Sequence, residues 1–98
     1  MIAHKGSNVI IGSLFQPING TFNLADYEVK LTLSDIQGSI VLTKTTDIIR
    51  NDADNAVACT IKGTETRTLK GLYFVTFELW ANGEKVLSNE VEQLTIIE

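Results

Sequence analysis

Leu69-Lys70-Gly71-Leu72-Tyr73-Phe74-Val75-Thr76-Phe77-Glu78-Leu79-Trp80 decides the fold. Its positions Leu69, Tyr73, Val75, Phe77 and Leu79 repeat with the period of two that marks a β-strand with a dry face, and Leu72, Phe74 and Trp80 extend apolar character to the other face. No other segment is as hydrophobic or as aromatic, so this one is read as the central strand of a buried sheet. At its start, Leu69-x-Gly71-x-Tyr73 has the spacing of a corner in two-sheet β-domains. Glycine permits the turn there, and the tyrosine hydroxyl can bond back to upstream backbone.

Working outward, Asn82-Gly83 is a hairpin signal between apolar segments. The return strand begins at Glu84 and carries Val86, Leu87 and Val91 before Leu94, Ile96 and Ile97, and the change of spacing predicts a bulge or a bend between Val91 and Leu94. On the amino-terminal side, Val57, Cys59 and Ile61 alternate with polar or small residues and predict a strand whose inner face holds the thiol. Residues 63–68 are polar and threonine-rich, a crossover loop. Residues 46–55 lose periodicity and are read as a connection, with Ile48-Ile49 either a helical turn or a short edge strand.

Earlier in the chain, Tyr27, Val29, Leu31 and Leu33 alternate with Glu28, Lys30, Thr32 and Ser34, the pattern of a strand with one wet face. Gln37-Gly38 turns it into residues 39–45, with Ile40 and Leu42 on one face. Residues 8–13 give a further strand, stopped at Pro17, and Asn19-Gly20 marks a turn. Residues 1–7 are expected to be a flexible terminus, and 8–98 one domain. About seven short strands with turn chemistry between them predict an all-β fold, an immunoglobulin-like two-sheet antiparallel β-sandwich, with a partly open or intermolecular barrel as the alternative. A single cysteine excludes the disulfide-centred antibody type.

Ninety-eight residues suffice for one modest core. With 44% hydrophobic and 20% charged residues the chain is expected to be ordered rather than disordered. Eight basic against 12 acidic side chains give a net charge of −4 without a basic stripe, so nucleic acid is not an expected partner. No apolar run approaches the roughly 20 residues of a membrane helix, and Met1-Ile2-Ala3-His4-Lys5-Gly6-Ser7 does not read as a signal peptide. The expectation is a soluble protein made in a cytoplasm and not secreted by a signal peptide.

The chemistry-bearing residues are few. His4 lies in the expected mobile terminus, and one histidine with one cysteine cannot assemble a zinc site. Cys59 is read as a core residue, since an apolar face raises a thiol pKa. Asn51, Asp52, Asp54 and Asn55 offer hard oxygen ligands but lack the glycine and closing glutamate of an EF-hand, and read as solvated turn residues. Asn19-Gly20-Thr21 fits a glycosylation acceptor, a match that carries nothing without secretion. No nucleotide-binding or nucleophile motif occurs. The chain is therefore expected to be no enzyme, to need no cofactor or metal, and to work through surfaces, with Trp80, Asn82, Gly83, Asp52 and Asp54 as the contact residues.

Asn23-Leu24-Ala25-Asp26-Tyr27-x-Val29-x-Leu31, followed by Thr68-Leu69-x-Gly71-x-Tyr73-x-Val75-x-Phe77, resembles the amino-terminal β-sandwich modules of the tailed-phage baseplate upper proteins. The resemblance covers roughly residues 20–97, on motifs that β-sandwiches share generally. It implies a structural component of a virion or prophage, docking to tail or baseplate proteins or to copies of itself. In that family a longer carboxy-terminal region follows the module, so docking rather than receptor binding is the role expected here. The alternative is a carbohydrate- or peptide-binding module that uses Trp80 or Tyr27 as a stacking platform.

Overall fold

The segment Gly71–Ala81 forms β7, with Tyr73, Val75, Phe77 and Leu79 buried as its alternation predicts. A strand that apolar needs a strand on each side and a second layer over its dry face. The computed structural model, which describes residues 1–15 and 22–98, supplies both. Pro17 and the Asn19-Gly20-Thr21 signals lie outside the described residues.

The other strands are β1 (Ile2–His4), β2 (Val9–Leu14), β3 (Glu28–Ser34), β4 (Ile40–Lys44), β5 (Ile48–Asn51), β6 (Ala56–Ile61) and β8 (Glu84–Ile97). They form an all-β architecture of two sheets, ordered β1-β8-β7-β3-β4 and β2-β6-β5, with β7 at the centre of the larger. One core lies between them: Val9, Ile11, Val57, Cys59 and Ile61 from the small sheet meet Leu31, Leu33, Val75, Phe77, Leu79, Leu94 and Ile96 from the large one. Phe15 closes on Phe77 edge to face, at 6.4 Å between ring centres.

The corner forms as its spacing predicts. Gly71 takes φ +101, a conformation that glycine adopts without strain, and the Tyr73 hydroxyl donates to the Lys70 carbonyl at 3.0 Å while accepting from the Lys70 amide at 3.1 Å. Asn82 and Gly83, with φ 54 and 78, make the tight β7–β8 hairpin. The β7–β8 register slips at Val75/Thr76, leaving Val91 as the extra residue, and again at Leu79/Trp80, leaving Val86 extra. The first slip falls at Val91, at the start of the interval from Val91 to Leu94 in which the spacing predicts a bulge or a bend, while Glu92 to Leu94 pair regularly; the second has no counterpart in the sequence pattern.

Four expectations are corrected. Residues 1–7 do not trail away: β1 pairs with β8 in parallel, Ile2 opposite Thr95 and His4 opposite Ile97, so the sheet is not purely antiparallel and the strands number eight. The following turn is held on α1 (Gly63–Thr66), a single helical turn inside the expected crossover loop. There Asn8 Oδ1 accepts from the Gly63 amide at 2.7 Å, and the Thr66 hydroxyl accepts from Gly6 and donates to Ser7. Gly63 is required, because a Cβ would overlap the Gly6 carbonyl. Residues 46–55, read as a connection, contain a strand and a turn: of the two alternatives for Ile48-Ile49 the short edge strand forms, as β5, and a 3-10 turn, Asp52–Asp54, follows it. Finally, Thr32, on the expected wet face of β3, is buried, because β3 is flanked by both β4 and β7.

Phe77 is fully buried at the meeting point of the two layers. Phe77→Ala is expected to cost about 3 to 5 kcal/mol in chemical denaturation, with the midpoint moving and the slope unchanged.

Candidate functional site

Lys44 lies on the inner face of β4, opposite Leu31, and Leu42 lies opposite Leu33. A register slip that leaves Val41 extra puts Ile40 opposite Ser34, exposed, so Ile40 and Leu42 do not share one face as the spacing predicts. The Lys44 side chain is 2% exposed, yet its ammonium is fully served: it donates to Asp47 Oδ2 at 3.0 Å and to Glu65 Oε1. Asp47 sits between β4 and β5 with φ 60, and Glu65, in α1, also accepts from the Lys62 amide at 2.9 Å. Lys62 Nζ closes on the other Asp47 oxygen at 3.4 Å. Two segments far apart in sequence, residues 44–47 and 62–65, thus meet at one buried cation.

Burial opposes the charge on Lys44, but its hydrogen bonds to Glu65 and Asp47 and their negative charges outweigh it and raise the ammonium pKa. The Lys44 hydrogen bond holds the Asp47 carboxyl below its usual range. Burial works against Glu65 as well, and is overcome by Lys44 and by the Lys62 amide, so that its pKa is also lowered. Cys59 lies nearby on β6, its thiol against the Thr46 carbonyl at 4.0 Å. Burial pushes this thiol up to about 11, with Lys44 opposing, so at neutral pH it is a protonated core group and a poor nucleophile.

A second inward cation stands on β5. Arg50, opposite Val57, donates to the carbonyls of Tyr27 (2.8 Å) and Leu24 (2.6 Å) and, through Nε, to Asp52 at 3.0 Å. Between β3 and β5 a cleft of about 270 Å³ is lined by Glu28, Val29, Lys30, Thr45, Ile48 and Arg50. It opens where β4 pairing stops at Leu31, leaving the first three residues of β3 without a partner on that side.

The residues singled out from sequence fall at this same end, since Tyr27 is bound to Arg50 and the next residue, Glu28, pairs with Trp80. Trp80 is half-buried on the outer face of the large sheet, its Nε1 donating to Glu78 Oε1 at 3.0 Å. The Lys30 ammonium lies over its ring at 4.0 Å from the centroid, a cation–π contact on a face that a stacked sugar would need. Lys85 reaches the other Glu78 oxygen at 3.6 Å. Asn82 and Gly83 are the exposed hairpin tip. Asp52 faces Arg50, and Asp54 accepts from Asn51 Nδ2 at 2.8 Å, so both carboxylates are engaged by their own turn. No group of three metal-ligating side chains occurs among the described residues. His4 is exposed in β1, its Nδ1 3.0 Å from the Glu98 carbonyl.

Sequence reading missed Lys44, Glu65 and Arg50. The signal was present: Lys44 continues the Leu42 face and Arg50 continues the Ile48 face, at the period of a strand. The chain matches no protein-family model and no curated protein. No described helix is long and apolar enough to cross a membrane.

A raised ammonium pKa stabilises the fold below its unfolded value and is lost as pH rises through the folded one; lowered carboxyl pKa values stabilise above their unfolded values and are lost as pH falls. The buried thiol behaves as the ammonium does, losing its contribution between 9.0 and about 11. The melting temperature is therefore expected to be level from about pH 5 to 9 and to fall on either side. Lys44→Met should make the acid limb shallower and Cys59→Val the alkaline limb, both read by calorimetry.

Proposed function

We propose that this protein is a non-enzymatic assembly module, an immunoglobulin-like sandwich that works through protein contacts. Strand order supports the architecture. Lettered in chain order as A′ to G, the large sheet runs A′-G-F-C-C′ and the small one B-E-D, and the tyrosine corner falls at the start of F, after the E–F crossing.

The observation that carries the functional reading is the edge of β8, which along residues 84–90 has no partner strand among the described residues. Residues 84–90 are exposed, and β1 pairs only with 95–97, so the outer side of β8 presents backbone donors and acceptors to solvent together with Val86 and Leu87, 55% and 44% exposed. Such an edge is a template for a strand from another chain. The bulges at Val86 and Val91 leave residues 87–90 as the regular stretch, which fixes the register of an incoming strand. Trp80, Asn82 and Gly83 flank this edge, Trp80 and Asn82 offering side chains to a partner and Gly83 its backbone. Placement in a phage tail or baseplate is supported by the corner-and-hairpin sequence pattern alone. The Lys30 ammonium over Trp80 disfavours a sugar platform.

Affinity purification of the intact chain from its native host, with mass spectrometric identification, is expected to recover structural proteins in fixed ratio. Leu87→Lys should lose them, because a lysine on an edge discourages strand addition. Recovery of no stable protein, or a saturable change of Trp80 fluorescence with simple sugars, overturns the reading.

A further inference from the structure

The small sheet has an outer face that its inner partners do not explain. Registers place Ile10, Gly12 and Leu14 of β2, Ala56, Ala58 and Thr60 of β6, and Ile49 and Asn51 of β5 on it, with no charged side chain. Ile10, Leu14 and Ile49 are 68%, 62% and 75% exposed, in a chain of net charge −4. Three branched side chains and the small residues between them offer roughly 500 Å² of apolar surface, the size at which a patch on a monomer is commonly functional.

The relief of this face is ordered. Ile49, Ala58 and Gly12 form one row across the three strands, so the sheet steps from a knob through a low centre to a hole. Gly12 is unusual. Its φ is not positive, and the β2–β6 register runs through it without a slip. A glycine inside a regular strand weakens it and marks a place where another group comes close. A Cβ there would meet the Val57 carbonyl at 3.3 Å, a tight but yielding contact, so the inside of the molecule accounts for only part of the choice.

We infer that this face is a self-association surface whose occupant is a second copy of the chain. A two-fold axis running along β6 lays β5 of one copy over β2 of the other. Each Ile49 then enters the hole at the partner's Gly12 and Ala58 meets Ala58, so the complementarity is satisfied twice. The pair would remove about 1,000 Å² from water, the lower limit for a specific interface, which fits a dimer that forms reversibly rather than an obligate one. The same axis brings the 3-10 turns with Asp52 and Asp54 together at one rim. Arg50 offsets Asp52, which leaves each turn one net negative charge, on Asp54; these like charges oppose association and are screened by salt, so the dimer tightens as ionic strength rises. An interface built on ion pairs would do the opposite.

Sedimentation velocity on the intact chain from about 10 μM to 1 mM tests this, since small apolar interfaces dissociate in that range. The wild type is expected to pass from monomer to dimer, at lower concentration in 0.5 M than in 0.05 M salt (roughly 4 and 14 Å of screening length). Ile49→Lys and Leu14→Lys should each weaken the dimer at least about tenfold. Ile36→Lys adds the same charge at a comparably exposed isoleucine in the β3–β4 turn and should leave it unchanged. A wild type that stays monomeric throughout, dimers in Ile49→Lys equal to those of wild type, or weakening by salt overturns the inference. Recruitment at the β8 edge is read separately by Leu87→Lys and stands or falls independently.

Discussion

Val75, Phe77 and Leu79 have no exposed surface, and three consecutive inward residues of one strand reach that state only if a second layer lies over them. The rest of the structure follows from that requirement. A strand can be flanked by its neighbours within a sheet, but its face needs other apolar side chains about 10 Å away. Val9, Ile11, Val57, Cys59 and Ile61 supply them from a three-stranded sheet whose own inner face would otherwise be wet. Neither layer can keep its dry side without the other, so crossings between sheets, residues 45–47 and 62–70 among them, are where the architecture is fixed.

At those crossings polar backbone passes the rim of an apolar core, and each needs partners there. On the side where β4 gives way to β5, the solution is cationic. Lys44 on the last strand of one sheet and Arg50 on the last strand of the other both point inward, their stems against the core and their charged ends held by Asp47 and Glu65 or by the carbonyls of Leu24 and Tyr27. Inward charges are also a means by which a sheet edge is kept from adding a strand. The same two side chains therefore seal the seam and close the β4 and β5 edges to partners.

Within-strand periodicity made much of this legible. The dry positions of β7, the alternation of Val57, Cys59 and Ile61, the Tyr73 corner and the Asn82-Gly83 hairpin all follow from rules that act over a few residues. What escaped depends on contacts between distant segments. β1 exists because the far end of β8 is free to receive it, and α1 because Gly63 can approach Gly6, facts absent from residues 1–7 or 63–68 read alone. Lys44 passed unnoticed, because what makes it an inward residue is its contact with Glu65 of a distant segment. Of the residues singled out, Trp80, Asn82, Gly83, Asp52 and Asp54 do share one end of the molecule, but the two aspartates are occupied within their own turn.

The sheet edges are not equal, and the inequality limits what kind of partner the exposed stretch of β8 can take. β4 and β5 carry inward cations, β1 is only three residues long and β2 only six. The β8 edge is long, but its two bulges leave four residues in regular register, too few for main-chain bonding to hold a strand by itself. A partner there must add side-chain contacts beyond the backbone ladder. The neighbouring surface offers a charged set, Lys30, Glu78 and Lys85 around Trp80, rather than an apolar groove. Charge arrangement around a short ladder discriminates among strands more than it strengthens binding. The bulges thus convert an edge that would pair with any extended segment into one that selects its partner, while the uncharged face of the small sheet, with shape but no charge to read, suits a copy of the same surface.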